Sequence, residues 1–410
     1  MAPTWTRTTG AVGPVGPIGS VGPVETQHLD LPQPVPLDCG RELHPVRIAY
    51  ETYGTLSPQR DNVILVCHAL SGDAHAAGSS PTTTDESTRD GFAAEERDGT
   101  AGKGLGWWDG MIGPGKAFDT DHFFVVSTNL LGGCRGTTGP SSIDPATGAP
   151  YGSDFPVITV ADMVRTQRAF LDVLGIERLA AVAGGSLGGM QALQWAVLYP
   201  DQVDSIVVIA STHALHPQGL AWNAIARESI RGDPAWQGGH YYGSGRTPDA
   251  GMGVARMVGH ITYLSAPALD DRFGRRLQFA DDIRYTIDEP EFEVESYLRH
   301  QAESFVRRFD ANTYLYLSRA LTYFDLAREH GDGSLQRALA GVSARTLLIA
   351  FSSDWLYPPA ASIEIDAALR SLGKPVQLNL IEAPYGHDCF LLEEAQQTPI
   401  VQRFLSESRT

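Results

Sequence analysis

Cysteine is scarce in this chain: Cys39, Cys67, Cys134 and Cys389 are the only four among 410 residues. None stand in C-x-x-C spacing, so neither a disulfide scaffold nor a metal site is signalled, and a reducing, cytoplasmic setting is expected. Positive charge is also short. Lys plus Arg amount to 31 against 48 for Asp plus Glu, a formal net charge of −17. That balance argues against nucleic-acid partners, which need a basic footprint, and against an anionic membrane surface. An anionic ligand would have to be met by a few locally placed cations or by helix N-termini. No apolar run reaches the roughly 18 residues of a membrane-spanning helix. The opening MAPTWTRTTG lacks the basic-then-apolar order of a signal peptide.

What is present is an ordinary globular balance, 42% hydrophobic and 19% charged, in a chain long enough for one large α/β domain with an insertion. Residues 1–27 carry a repeated Val-Gly-Pro unit and are expected to form a flexible tail, because proline removes backbone donors and glycine is costly to order. Short, continuously apolar runs follow: RIAYETYG, NVILVCH, FFVVSTNL, LAAVAGGS, SIVVIAS, RTLLIAFSS and VQLNLIEA. Such runs suit strands buried on both faces of a parallel sheet. Helical patterns alternate with them at Val160–Gly175 and Gly188–Pro200, which predicts a mostly parallel α/β sheet with right-handed crossovers. The alternation stops after Ser211 and resumes near Arg345. Residues 28–211 and 341–410 are therefore expected to form the core, and 212–340 a helical lid over the C-terminal edge of the sheet. The polar stretch Gly72–Gly104 shows no periodicity and reads as a mobile loop.

One motif carries chemistry. AVAGGSLGG contains Gly184-Gly185-Ser186-Leu187-Gly188, a G-x-S-x-G after an apolar strand and before a helix. In that context it reads as a nucleophile elbow, whose turn is too tight for side chains two residues either side of the serine. A glycine-rich cap or phosphate loop is the bland alternative. A serine needs a base and an orienting carboxylate, in the order Ser, Asp, His. Asp354 in LLIAFSSDWLYPP and His387 in LIEAPYGHDCFLLE both fall just past strands, where open α/β sheets gather their sites. The backbone N–H groups of Leu70, in the loop after NVILVCH, and of Leu187 are the expected oxyanion donors. His68 reads as structural, and His75 stays unassigned.

The segments NLLGGCRGTTGPSSIDPATGAPYGSDFP, AGGSLGGMQALQWA, ARMVGHITYLS, RFDANTYLYLSRALTYFDL, FSSDWLYPP and PYGHDCFLLE together resemble the homoserine O-acyltransferases of the α/β-hydrolase fold. The resemblance runs from about His28 to Phe404. It implies that Ser186 is acylated by acetyl-CoA, a co-substrate rather than a bound cofactor, and that L-homoserine takes the acyl group. It further implies that Arg256 contacts the homoserine carboxylate and Asp388 its ammonium. Succinyl-transferring relatives carry an arginine where Leu356 stands here, so acetyl is the expected donor. Serine-acylating relatives carry asparagine where Gly185 stands. A homodimer is also implied. The triad alone would equally suit an esterase or thioesterase.

Overall fold

The computed structural model of the chain describes residues 19–80, 104–279, 281–287 and 291–407. Eight strands form the central sheet: β1 (Gln27–Asp30), β4 (Arg47–Tyr53), β5 (Val63–Cys67), β6 (Phe124–Thr128), β7 (Ala181–Gly185), β8 (Ser205–Ile209), β9 (Arg345–Phe351) and β10 (Val376–Ile381). Their spatial order is β1-β4-β6-β5-β7-β8-β9-β10. The β1–β4 and β4–β6 pairs are antiparallel, and every pair from β6 onward is parallel. All seven apolar runs became strands. β1 and the small hairpin of β2 (Val35–Pro36) and β3 (Glu42–Leu43) were not foreseen, because their short polar sequences carry no buried-strand pattern.

Two-sided burial follows from the period of two along each strand. In β5, Val63, Leu65 and Cys67 join one apolar cluster, while Ile64 and Val66 join the other. The first face is covered by α1 (Val160–Val173), α2 (Leu187–Leu198) and the helices between β8 and β9. Beneath the second lie Trp108, Met111 and Phe118, with Val401 and Phe404 from the last helix. The start of α1 is fixed by a capping box, in which Thr159 accepts from the Asp162 amide and Asp162 accepts from that of Thr159.

Between β8 and β9 the described residues form seven α-helices: α3 (Pro217–Gly232), α4 (Asp249–Tyr263), α5 (Ala266–Arg272), α6 (Glu293–Arg308), α7 (Ala311–Tyr323), α8 (Leu326–His330) and α9 (Leu335–Leu339). Beyond β9 come α10 (Pro359–Ser371), α11 (Cys389–Leu392) and α12 (Glu394–Ser406). No described helix is long and apolar enough to cross a membrane.

The expected tail needs one correction. Residues 1–18 lie outside the described residues, but 19–27 are held in place. The Gly19 amide donates to the Pro114 carbonyl at 3.0 Å, and the Val24 amide to that of Ser79 at 2.9 Å. Val21 and Val24 pack against the second apolar cluster. Their burial depends on a distant loop, which composition cannot reveal. Within the polar stretch after Gly72, residues 81–103 also lie outside the described residues. Its first part is anchored: the Tyr53 hydroxyl accepts from the Ala76 and Ala77 amides at 2.8 and 3.1 Å.

Candidate active site

Ser186 stands between β7 and α2 with φ 57° and ψ −121°, a region that side chains other than glycine rarely adopt and that stores roughly 1–3 kcal/mol. The surrounding backbone enforces it. A Cβ on Gly184 would lie 2.5 Å from the Gly188 carbonyl carbon, and one on Gly188 would lie 2.0 Å from the Cys67 carbonyl oxygen. Two bonds pin the serine's own backbone: its amide donates to the Ile209 carbonyl at 3.0 Å, and its carbonyl accepts from Ser211 Oγ at 2.7 Å. Gly185 serves a different contact. A Cβ there would meet the Phe390 ring at 2.3 Å, so the absence of a side chain lets Phe390 close against the elbow.

The sheet order brings the other two residues alongside. β9 and β10 pair in parallel, so Asp354 and His387 emerge beside one another from adjacent strand ends. His387 Nδ1 lies 2.8 Å from Asp354 Oδ2, with both side chains buried. Asp354 Oδ1 in turn accepts from the Leu356 and Tyr357 amides at 3.0 and 2.8 Å. A carboxylate held by two amides and an imidazole is fixed in orientation. The His387 ring is flanked by Tyr357 and Phe390, with centroids at 4.8 and 5.3 Å. Burial pushes the pKa of the Tyr357 hydroxyl well up and keeps it protonated.

Helices from between β8 and β9 pack against this end. Gly386 has φ 75°, and a Cβ there would lie 2.6 Å from both the Ser265 nitrogen and the Tyr263 oxygen. The C-terminus of α4 therefore rests directly on the histidine loop. Trp355 Nε1 donates to the Leu264 carbonyl at 2.8 Å, tying the aspartate loop to the same helix end.

These elements enclose about 620 Å³ of space, part of it continuous with solvent. Five of the residues singled out in the sequence line it together: Leu70, Ser186, Arg256, His387 and Asp388. Leu187 begins α2, whose first amides have no acceptor within the helix. β5 adjoins β7, with Cys67 opposite Gly184, which sets the Leu70 loop beside the elbow. Leu356 is different. Its side chain is absent from the cavity lining and packs, partly buried, against the core; what it brings to the site is its amide on Asp354.

The second cation in the cavity is Arg308, at the last turn of α6, which sequence reasoning missed. Arg256 and Arg308 both stack on the Phe305 ring, at 4.5 and 5.0 Å from its centroid. Arg308 Nη1 also donates to the Ser71 carbonyl at 3.2 Å, one residue beyond Leu70. Nearby His260 is held far below the usual imidazole range by burial and by the charges of Arg256, Arg308 and Arg272, so it stays neutral. Tyr263 and Trp107, further lining residues, were missed as well. Nothing local in VRRF or GLGWW separates them from surface or core residues.

His68 and His75 do not line this cavity. The buried ring of His68 sits 2.7 Å from the Ala69 carbonyl and 3.1 Å from Asn129 Oδ1, and burial lowers its pKa; it ties together the loops after β5 and β6. His75 bridges Glu51 at 2.9 Å and the Gly104 carbonyl at 3.1 Å.

An arrangement of serine, imidazole and carboxylate beside free helix N-terminal amides can take up an acyl group and pass it on. Flanking cation and carboxylate suit a zwitterionic partner. The comparisons with known proteins agree with this geometry. Residues 62–394 match the model of the alpha/beta hydrolase fold family. The chain is 49% identical over 387 residues to a homoserine O-acetyltransferase of Methanobrevibacter ruminantium, covering 94% of this chain and 74% of the relative. It is 52% identical over 369 residues to a homoserine O-succinyltransferase of Alkalilimnicola ehrlichii, covering 90% and 91%. The crystal structure of a homoserine O-acetyltransferase from Bacillus anthracis superposes with a TM-score of 0.83 at 33% identity, over 93% of this chain and 97% of that one. The chain belongs to the homoserine O-acyltransferases of the α/β-hydrolase fold family.

Proposed function

We propose that this chain is a homoserine O-acetyltransferase, moving the acetyl group of acetyl-CoA onto L-homoserine through an acyl-Ser186 intermediate. The product, O-acetyl-L-homoserine, feeds methionine biosynthesis. The observation that carries the reading is the shared lining of one cavity by Ser186, His387, Arg256 and Asp388, in a chain nearly half identical to named homoserine O-acetyltransferases.

In the first half-reaction His387, oriented by Asp354, takes the Ser186 proton as the hydroxyl attacks the thioester carbonyl. The amides of Leu70 and Leu187, with the N-terminus of α2, stabilise the oxyanion. Collapse expels the CoA thiolate, which leaves with the proton carried by His387. Homoserine then binds with its carboxylate on Arg256 and its ammonium on Asp388. His387 deprotonates its hydroxyl, which attacks the acyl-serine and releases the ester. Water must be kept from the acyl-enzyme, and the contact of α4 with Gly386 supports the lid in that role. The site calls for no bound cofactor. We place the enzyme in the cytoplasm as a homodimer, on the strength of its cysteine usage and family.

Succinyl transfer is the second reading, favoured by the 52% identity to a named homoserine O-succinyltransferase and by the presence of Arg308 beside Arg256 in the cavity lining. Offering acetyl-CoA and succinyl-CoA, each with homoserine and with serine, and weighing the products decides between them. O-Acetylhomoserine as the main product is expected. A predominance of O-succinylhomoserine or of an acylserine would overturn the donor or acceptor assignment, and rapid CoA release without acceptor would mark a hydrolase.

A further inference from the structure

A second cavity lies on the lid, between α3 and α7 and away from Ser186. It encloses about 460 Å³, open to solvent, and is lined by Val157, Arg227, Arg231, Leu315, Tyr316 and Arg319. Three of six lining residues are arginines, in a chain of net charge −17. Arg227 is buried, with 6% of its surface exposed, and its guanidinium bonds only neutral groups, the Ser318 carbonyl at 3.1 Å and Thr322 Oγ1 at 3.0 Å. Arg319 stacks on Tyr323 at 5.6 Å. Among the described residues the one ion pair these arginines make is Arg231 with Glu228. Burial and the charges of Arg319 and Arg231 push the Arg227 pKa down to about 10. Like charges gathered at a partly desolvated spot are costly unless an anion joins them. The floor is apolar: Tyr316 spends its hydroxyl on the Ser153 and Phe155 carbonyls, at 2.9 and 2.6 Å, which leaves its ring for contact beside Leu315 and Val157.

We propose that this groove is a binding site for a phosphate-bearing anion, gripped by the guanidinium groups of Arg227, Arg231 and Arg319. Planar guanidinium forks match phosphate oxygens in pairs. Two sources share that chemistry: a free phosphate, or a nucleotide whose base lies on the apolar floor, such as the nucleotide end of an acyl-CoA. Only the last identification rests on the proposed function, and the binding site itself does not.

The test is calorimetric titration of the full chain with pyrophosphate and with adenosine 3′,5′-bisphosphate, at low and high salt. Saturable binding of one anion per chain is expected, weaker at high salt. Loss of one charge-assisted contact should weaken it about tenfold or more in Arg319→Gln and in Arg231→Gln, whereas Arg319→Lys should retain most of it. Equal affinity for the two probes identifies a free phosphate, and tighter binding of the bisphosphate identifies a nucleotide. Absence of saturable binding of either probe overturns the proposal. So does undiminished binding in both glutamine variants, or an altered molecular mass by light scattering with anion binding intact, which would show that the arginines meet a second copy of the chain. Melting temperatures of the variants establish that they are folded.

Discussion

The sheet end that carries Ser186, Asp354 and His387 and the helical lid that carries Arg256, Tyr263 and Arg308 meet in one cavity, but they are built by different physics. The sheet end is fixed by backbone. Glycines are required where a Cβ would strike a neighbouring main chain at 2.0–2.5 Å, and parallel pairing sets Asp354 beside His387. The lid is held mainly by side chains: two guanidinium groups on one phenyl ring, and Trp355 Nε1 bonded to the Leu264 carbonyl at a helix end. Backbone constraints leave motifs in the sequence, whereas side-chain constraints leave single residues that look like any others.

Changes in the sheet end should therefore abolish chemistry, while changes in the lid should alter substrate handling. The largest effect is expected for Ser186→Ala, which should lower the rate of acyl transfer by at least about 10⁴-fold; steady-state turnover with both substrates saturating checks it. Next, Arg256→Gln should raise the KM for homoserine about 10- to 100-fold, the cost of one charge-assisted bond, with little change in kcat. Arg308→Gln should instead lower kcat/KM for acetyl-CoA, about tenfold, by releasing the Ser71 carbonyl and the loop that bears Leu70. If the two arginine variants shift the same constant, the division of labour within the lid is wrong. Gly188→Ala, confined to the sheet end, should destabilise the protein by about 1–3 kcal/mol through overpacking against Cys67, as read from chemical denaturation.

The smallest effect concerns His75, outside both regions. Burial alone would lower its pKa, but the Glu51 carboxylate and the Gly104 carbonyl raise it overall. A raised folded-state pKa gives stability that is complete below the unfolded value, about 6.5, and that is lost as pH rises through the folded value. Melting temperature should therefore fall on going from mildly acidic to mildly alkaline buffer in the wild type, and this component should vanish in His75→Gln. An unaltered slope in the variant would assign the pH dependence elsewhere.

The same contrast explains what could be read from the sequence. The seven apolar runs gave their strands because burial on both faces demands unbroken apolar sequence. The elbow was readable because Gly184 and Gly188 answer a steric demand of the turn itself. Arg256 and Asp388 entered through family resemblance alone, since neither helix periodicity nor turn chemistry distinguishes them. Arg308 was missed because VRRF at a helix end reads as solvated charge. Leu356 packs its side chain, partly buried, against the core and gives its amide to Asp354; its link to donor choice comes from family resemblance alone. The pinned segment 19–27 was hidden because its bonds reach Ser79 and Pro114, far along the chain.

In this mechanism the sheet end forms a covalent intermediate that the lid then directs to homoserine. The most direct test is the intact mass of the protein after mixing with acetyl-CoA alone and again after adding homoserine. A gain of one acetyl group, mapped to Ser186, is expected, and it should disappear as O-acetylhomoserine forms. Formation of product with no acetylated protein at any time, or an acetyl group that persists on Ser186 in the presence of homoserine, would contradict it.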